Sequence, residues 1–171
     1  MNIAELEKFE QSVSKATYSI IKDQMVSLSS GELLHLLDSK SNKVGDTAAM
    51  FLWRKSCDLL VDALLERKLR TAAGRLRATN ILNWNGRACK RAIEAYLFCL
   101  DDRSFYVFCN GLFGIVFLRR TDLLEFLQNR HDSCDRIEWR EQYALAIASM
   151  KAGDPYLYSP NFHDAAGVWN L

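Results

Sequence analysis

The stretch FYVFCNGLFGIVFL, residues 105–118, is apolar on nearly every side of a helix. A helix that is apolar all round is buried, so this stretch predicts the central helix of the fold. Its aromatic and β-branched content also fits a buried strand, which is the alternative. Gly111 and Gly114 lie inside it, and each glycine weakens a helix by about 1 kcal/mol relative to alanine. We therefore expect a neighbouring backbone to pack closely against these two glycines.

Similar but shorter apolar patterns recur on both sides of this stretch. They open at Leu33-Leu34, Leu59-Leu60, Ala92-Ile93 and Leu123-Leu124. Successive patterns are separated by about thirty residues, an interval that is typical of helical repeats. Such arrays present a long side surface and mostly bind other macromolecules.

Capping and turn residues set the predicted helix boundaries. Residues 29–32 predict the end of one helix and the N-cap of the next, beginning at Ser29. Residues 39–45 are polar and predict a loop, and Asp46 is the expected N-cap of the helix that follows it. Residues 101–104 predict a break, and residues 129–135 predict a second polar loop. A last helix is expected to end at Gly153.

One block of residues resembles the HEAT-like repeat family. The block begins with Arg75-Leu76-Arg77-Ala78, continues to Leu82 and turns at Asn85-Gly86. It then continues through Ala92 to Leu97 and Leu100-Asp101-Asp102, and it ends with a helix that contains Val107, Gly111 and Ile115. In that resemblance Ala78 and Gly111 take the family's small-residue position, and Leu82 and Ile115 take the apolar position four residues later. Asp101 or Asp102 takes the place of the aspartate in the turn. The first unit departs from the pattern, with Phe51 and Lys55 near the small and apolar positions.

The resemblance implies an all-α fold built as a short right-handed stack of antiparallel helix hairpins. An irregular helical bundle is the alternative, because it shows the same amphipathic stripes. We expect a single domain over residues 1–171 with seven to eight helices. It would comprise an N-terminal helix (1–28), the hairpins (30–130), and a C-terminal helix with a capping tail (136–171).

Composition restricts the class of protein. The chain has 171 residues, 49% of them hydrophobic and only 2 of them proline, which favours a globular, helix-rich domain. Five cysteines without a CxxC spacing, and an N-terminus without a signal-peptide core, predict a cytoplasmic protein. No apolar run approaches the ~18 residues that a membrane span needs.

The charge is distributed unevenly, although the formal net charge is only +1. Residues 67–91 hold eight basic side chains and no acidic one: Arg67, Lys68, Arg70, Arg75, Arg77, Arg87, Lys90 and Arg91. These cations could form a docking surface for an acidic protein or for nucleic acid, or they could be solvated or pair with neighbouring acids.

No arrangement of residues predicts catalysis. His35, His131 and His163 show no metal-ligand spacing, and His35 is expected to be semi-buried in an apolar helix. Asp132 and Asp135 lie near Cys134 and would suppress its thiolate. We therefore predict no catalytic residue, no metal and no cofactor.

Non-catalytic binding of a protein partner is the function these observations favour. The predicted partner-binding residues are Asp58, Asp62, Glu66, Lys90, Arg91 and Glu94. The resemblance implies an adaptor, or a protein like the bacterial immunity proteins that mask a partner's active site.

The alternative is nucleic-acid binding, in which guanidinium groups hold phosphates and an indole stacks on a base, through Arg75, Arg77, Trp84, Arg87, Lys90 and Arg91. A small enzyme is a third class, and it would need a pocket with clustered ionisable groups.

Overall fold

The computed structural model describes residues 16–158, which form nine α-helices and no strand. The helices are α1 (Ala16–Met25), α2 (Ser30–Leu37), α3 (Asn42–Lys55), α4 (Cys57–Leu65), α5 (Ala72–Asn85), α6 (Ala92–Cys99), α7 (Phe105–Phe117), α8 (Leu124–Asp132) and α9 (Ile137–Ala152). The all-α prediction is confirmed. The strand alternative for residues 105–118 is wrong, because their backbone closes helical hydrogen bonds as α7.

The chain divides into two compact units, with the boundary between Asn85 and Gly86. Helices α1–α5 belong to the first unit and α6–α9 to the second. The single domain over residues 1–171 stays a prediction.

Helix α3 is the centre of the first unit and packs against α1, α2, α4 and α5. Its buried positions are mostly small side chains, which lets neighbouring helices approach closely. They are Val44, Gly45, Thr47, Ala48, Ala49 and Leu52.

The caps of the first unit are partly as predicted. The Ser29 hydroxyl accepts a hydrogen bond from the Glu32 N–H, and the Glu32 carboxylate accepts one from the Ser29 N–H at 2.8 Å. This reciprocal pair is a capping box, and it confirms the predicted start of α2. The predicted N-cap at Asp46 is wrong, because the Ser41 hydroxyl caps α3 by accepting from the Val44 N–H at 3.2 Å. Asp46 lies one turn inside the helix.

In the second unit, α7 packs against α6 and α9, and α8 packs against α9. The two glycines of α7 face α6 as predicted. A Cβ on Gly111 would lie 2.8 Å from the carbonyl oxygen of Tyr96, and a Cβ on Gly114 would lie 2.5 Å from the Tyr96 ring. Only a residue without a side chain fits at either position.

Helix α9 ends at Gly153, whose φ of 70° lies in the left-handed region that glycine tolerates. A short 3₁₀ turn, Pro155–Leu157, follows, and then Tyr158 is buried with its hydroxyl 3.5 Å from the Cys109 carbonyl. The start of the predicted capping tail therefore packs onto its own unit. The rest of that tail, His163 and residues 1–15 of the predicted N-terminal helix lie outside the described residues.

Among the described helices, not one combines the length and the apolar character that crossing a membrane requires.

Candidate binding cleft

The second unit contains a cleft of about 320 Å³ where the turn between α6 and α7 lies beside the turn between α8 and α9. It is lined by residues 100–103, Arg130, residues 133–136, Trp139 and Tyr143. Three arginines and three aspartates are among these residues. This volume is at the lower end of the range found for ligand pockets in proteins.

Two of the aspartates already have partners. The Asp101 carboxylate accepts hydrogen bonds from Arg130 at 2.6 and 3.2 Å, one on each oxygen, and this fork ties the α6–α7 turn to α8. The Asp102 carboxylate accepts from the Ser104 N–H at 2.8 Å, just before α7 begins. The predicted break at residues 101–104 is confirmed.

Aromatic packing holds one wall of the cleft. The Trp139 ring lies 4.8 Å from the Phe105 ring and 5.7 Å from the Phe108 ring, measured between centroids. The Arg136 guanidinium lies 4.7 Å over the Trp139 ring in a cation–π contact. The exposed Arg103 makes no ion pair within the part of the chain that the structure describes.

Tyr143 forms the buried part of the cleft and is only 3% exposed. Burial raises the pKa of Tyr143 to about 12, with Arg130 opposing this shift and Cys134 and Asp101 adding to it. The phenol therefore stays a neutral hydrogen-bond donor at neutral pH. The Cys134 thiol is 3.5 Å from the Arg136 carbonyl and donates to it.

Several groups of the cleft are hydrogen-bond donors. The pKa of the Arg130 guanidinium is raised by its hydrogen bonds to Asp101, so this group keeps its proton. The Tyr143 hydroxyl and the Cys134 thiol are also donors.

The sequence-predicted partner-binding residues lie outside this cleft. In the first unit, Asp58 and Asp62 are half-buried on α4, and Glu66 is exposed and ion-paired with Lys68 at 2.6 Å. In the second unit, Lys90 is exposed before α6, and Arg91 pairs with Glu94 at 3.2 Å. Their role in partner binding stays a prediction.

Arg77, a candidate nucleic-acid contact in the sequence, is instead a structural residue of the first unit, and only 5% of it is exposed. Its guanidinium donates to Asp46 Oδ1 at 3.2 Å, to the carbonyls of Leu37 and Ser39 at 2.6 and 2.8 Å, and to Asn42 Oδ1 at 2.8 Å. Leu37 is the last residue of α2, so Arg77 caps the end of that helix. Burial raises the pKa of the Asp46 carboxyl, and Arg77 opposes the shift.

Other cations of the basic segment also have intramolecular partners. Arg75 donates to the Arg70 carbonyl at 3.2 Å, and the Arg87 guanidinium lies 4.7 Å over the Phe117 ring. Trp84 is 74% exposed, as base stacking would require. Pairing within the protein, one of the open interpretations, therefore holds for Arg75, Arg77, Arg87 and Arg91, whereas Lys90 is exposed.

Two histidine expectations are wrong. His35 is exposed, because the buried face of α2 is formed by Leu33, Leu36 and Leu37. His131 lies in α8 rather than in a loop, since α8 continues to Asp132, and its Nδ1 is 2.7 Å from the Asp132 carboxylate. This contact and a hydrogen bond from Gln128 lower the pKa of Asp132.

A weak signal in the sequence points to the cleft. Each of the two turns contains an Asp-Arg dipeptide, at residues 102–103 and 135–136. The interval between the two dipeptides is similar to the interval between the apolar patterns. The turn between α6 and α7 and the turn between α8 and α9 thus carry the same pair of residues. Tyr143 has no such signal, since it reads as an ordinary core position.

No family model, no curated protein and no solved structure matches this chain.

Proposed function

We propose that this chain is a non-catalytic protein-binding module and that the cleft of the second unit contacts the partner. The observation that supports this is the lining of the cleft, which includes two exposed guanidiniums, a neutral phenol and a tryptophan. Arginine, tyrosine and tryptophan are the residues most enriched among those that dominate binding energy at protein interfaces.

Exposed apolar side chains that adjoin residues of the cleft in the sequence support the same function. Ile137 directly follows Arg136 and is 63% exposed, and Tyr106 follows Phe105, whose ring contacts Trp139. A partner that covers the cleft would also cover these side chains, adding apolar burial to the polar contacts.

The HEAT-like arrangement belongs to this proposal. Two successive hairpins in the second unit, α6 with α7 and α8 with α9, place their turns side by side. An adaptor or an immunity protein would use such a surface in the same way, by covering part of its partner.

Affinity capture with matched variants tests the proposed function. Wild-type protein, an Arg103→Glu/Arg136→Glu variant and an Arg140→Glu control would be immobilised and incubated with nuclease-treated extract of the source cells. Arg140 is exposed, lies on α9 four residues after Arg136 and does not line the cleft. Each protein retained by the wild type would then be purified and its affinity measured by calorimetry.

We expect the cleft variant to bind the partner about 30-fold or more weakly than the wild type, and the control to bind it normally. Equal affinity for all three proteins would contradict a role for the cleft. Binding to random duplex DNA that weakens steeply with salt, with no protein partner, would favour the nucleic-acid alternative.

A further inference from the structure

The polar groups of the cleft differ in whether they already have a hydrogen-bond or ion-pair partner within the protein. Both oxygens of Asp101 accept from Arg130, and Asp102 accepts from the backbone of Ser104. By contrast, the Arg103 and Arg136 guanidiniums form no ion pair among residues 16–158. The acceptors are thus largely occupied, while the donors remain available.

Tyr143 adds a donor in the buried part of the cleft. Its side chain is almost completely buried, yet its hydroxyl makes no hydrogen bond within the described part of the chain. Tyr143 lines the cleft together with Arg130, Asp101 and Cys134. The hydroxyl oxygen is not among the fully buried polar atoms that lack a partner, so an acceptor that enters the cleft can reach it.

On the basis of the protein-binding function proposed for this cleft, we propose that it receives a carboxylate side chain from an acidic segment of the protein partner. The carboxylate accepts hydrogen bonds from the Tyr143 hydroxyl and from the guanidiniums of Arg103 and Arg136. Guanidinium–carboxylate hydrogen bonds are charge-assisted and geometrically specific, so they select a carboxylate over a neutral amide.

The packing around Trp139 favours an acidic peptide over a nucleic acid. Nucleic-acid sites stack bases on open aromatic faces. The Trp139 ring is instead enclosed by Phe105, Phe108 and the Arg136 guanidinium.

Asp135 also lines the cleft, is exposed and opposes the incoming carboxylate. It is exposed at the rim, where solvent screens its charge. Replacing it with asparagine removes the repulsion but, because the charge is screened, should strengthen binding of an acidic segment only modestly.

Peptide titrations followed by ¹H–¹⁵N NMR test this inference. A hexaglutamate peptide is the probe, and hexaglutamine and hexalysine of the same length are the comparisons. We expect hexaglutamate to shift the amide signals of residues 100–104 and 133–136 and the indole signal of Trp139, whereas the other two peptides leave them in place.

Variants then assign the contacts. Tyr143→Phe keeps the buried ring and removes only the hydroxyl, and Arg136→Gln keeps a polar side chain without the charge; each should weaken hexaglutamate binding about tenfold. Asp135→Asn should tighten it about two- to five-fold. Arg140→Gln is the control and should bind like the wild type, with thermal unfolding confirming that every variant is folded.

Three results would overturn the inference: hexaglutamate shifts elsewhere on the protein, equal binding of hexaglutamine, or undiminished binding by both Tyr143→Phe and Arg136→Gln. Preferential binding of random duplex DNA or of hexalysine at the cleft would overturn it as well. If the captured partner still needs Arg103 and Arg136 while hexaglutamate does not bind, the acidic segment is wrong and the protein-binding function stands. If partner capture ignores these arginines, the function itself fails at this cleft.

Discussion

The first and second units use the same residue types, arginine and aspartate near helix turns, for different purposes. Arg77 of the first unit is buried, and its guanidinium donors point to helix-end carbonyls, an asparagine and a carboxylate. Arg103 and Arg136 of the second unit are exposed at a cleft and make no ion pair in the described part of the chain. A buried guanidinium with satisfied donors stabilises its fold, whereas exposed donors are available to a partner.

The largest expected effect is on Arg77. Arg77→Met removes the guanidinium and leaves the carbonyls of Leu37 and Ser39 without its hydrogen bonds and the Asp46 carboxylate without its ion pair. We expect the free energy of unfolding to fall by about 3–5 kcal/mol. Urea denaturation measures this loss.

Arg103→Met in the cleft is the matched substitution. It should change the free energy of unfolding by no more than about 0.5 kcal/mol, because the side chain is exposed. Similar losses for Arg77→Met and Arg103→Met would show that the contrast between the two regions is false.

An intermediate effect is expected at Gly45, next to Arg77. An alanine Cβ there would lie 2.5 Å from Arg77 Cζ, and the hydrogen bonds of the guanidinium prevent it from moving away. Gly45→Ala should therefore cost about 1–3 kcal/mol of unfolding free energy, as overpacking does. In the Arg77→Met background the clash is absent, and the same change should be neutral or gain up to about 1 kcal/mol from helix propensity.

Gly31→Ala serves as the control for glycine replacement, since a Cβ at Gly31 meets only the Ser29 hydroxyl oxygen at 4.0 Å. It should stabilise the protein by about 0.4–1 kcal/mol in urea denaturation. A Gly45→Ala cost that persists in the Arg77→Met background would mean that the guanidinium is not the obstacle.

A small effect is expected for the Asp101–Arg130 pair at the cleft. The side chains of Asp101 and Arg130 are 63% and 37% exposed, so solvent screens the attraction. A double-mutant cycle with Asp101→Asn and Arg130→Gln should give a coupling of about 0.2–1 kcal/mol, decreasing with added salt. A coupling free energy as large as the loss of unfolding free energy expected for Arg77→Met would show that this pair stabilises the fold as the contacts of Arg77 do.

Local patterns predicted much of the fold. The capping box at Ser29, the break at residues 101–104 and the end of α9 at Gly153 depend on residues close together in the chain. The close packing at Gly111 and Gly114 was also predictable, because a glycine inside an apolar helix needs a packing reason. The start of α3 was predicted one turn late because Ser41 and Asp46 are both acceptable caps, and the local sequence does not rank them.

The cleft was not predicted, since its residues come from two turns that are far apart in the sequence and from the middle of α9. The burial of Arg77 was also missed. A charged residue on a helix is usually solvated, and only the positions of α2 and α3 provide the acceptors that make its burial favourable.

The amino-acid order by itself determined that this chain is helical, where most of its helices begin and end, and which apolar faces they bury, because these properties follow from short-range periodicity and capping. The tertiary structure alone decided which arginines are internal and which face a cleft. That distinction depends on whether packing brings acceptors within hydrogen-bond distance of each guanidinium. The Asp46 and Leu37 acceptors of Arg77 lie 31 and 40 residues before it in the sequence.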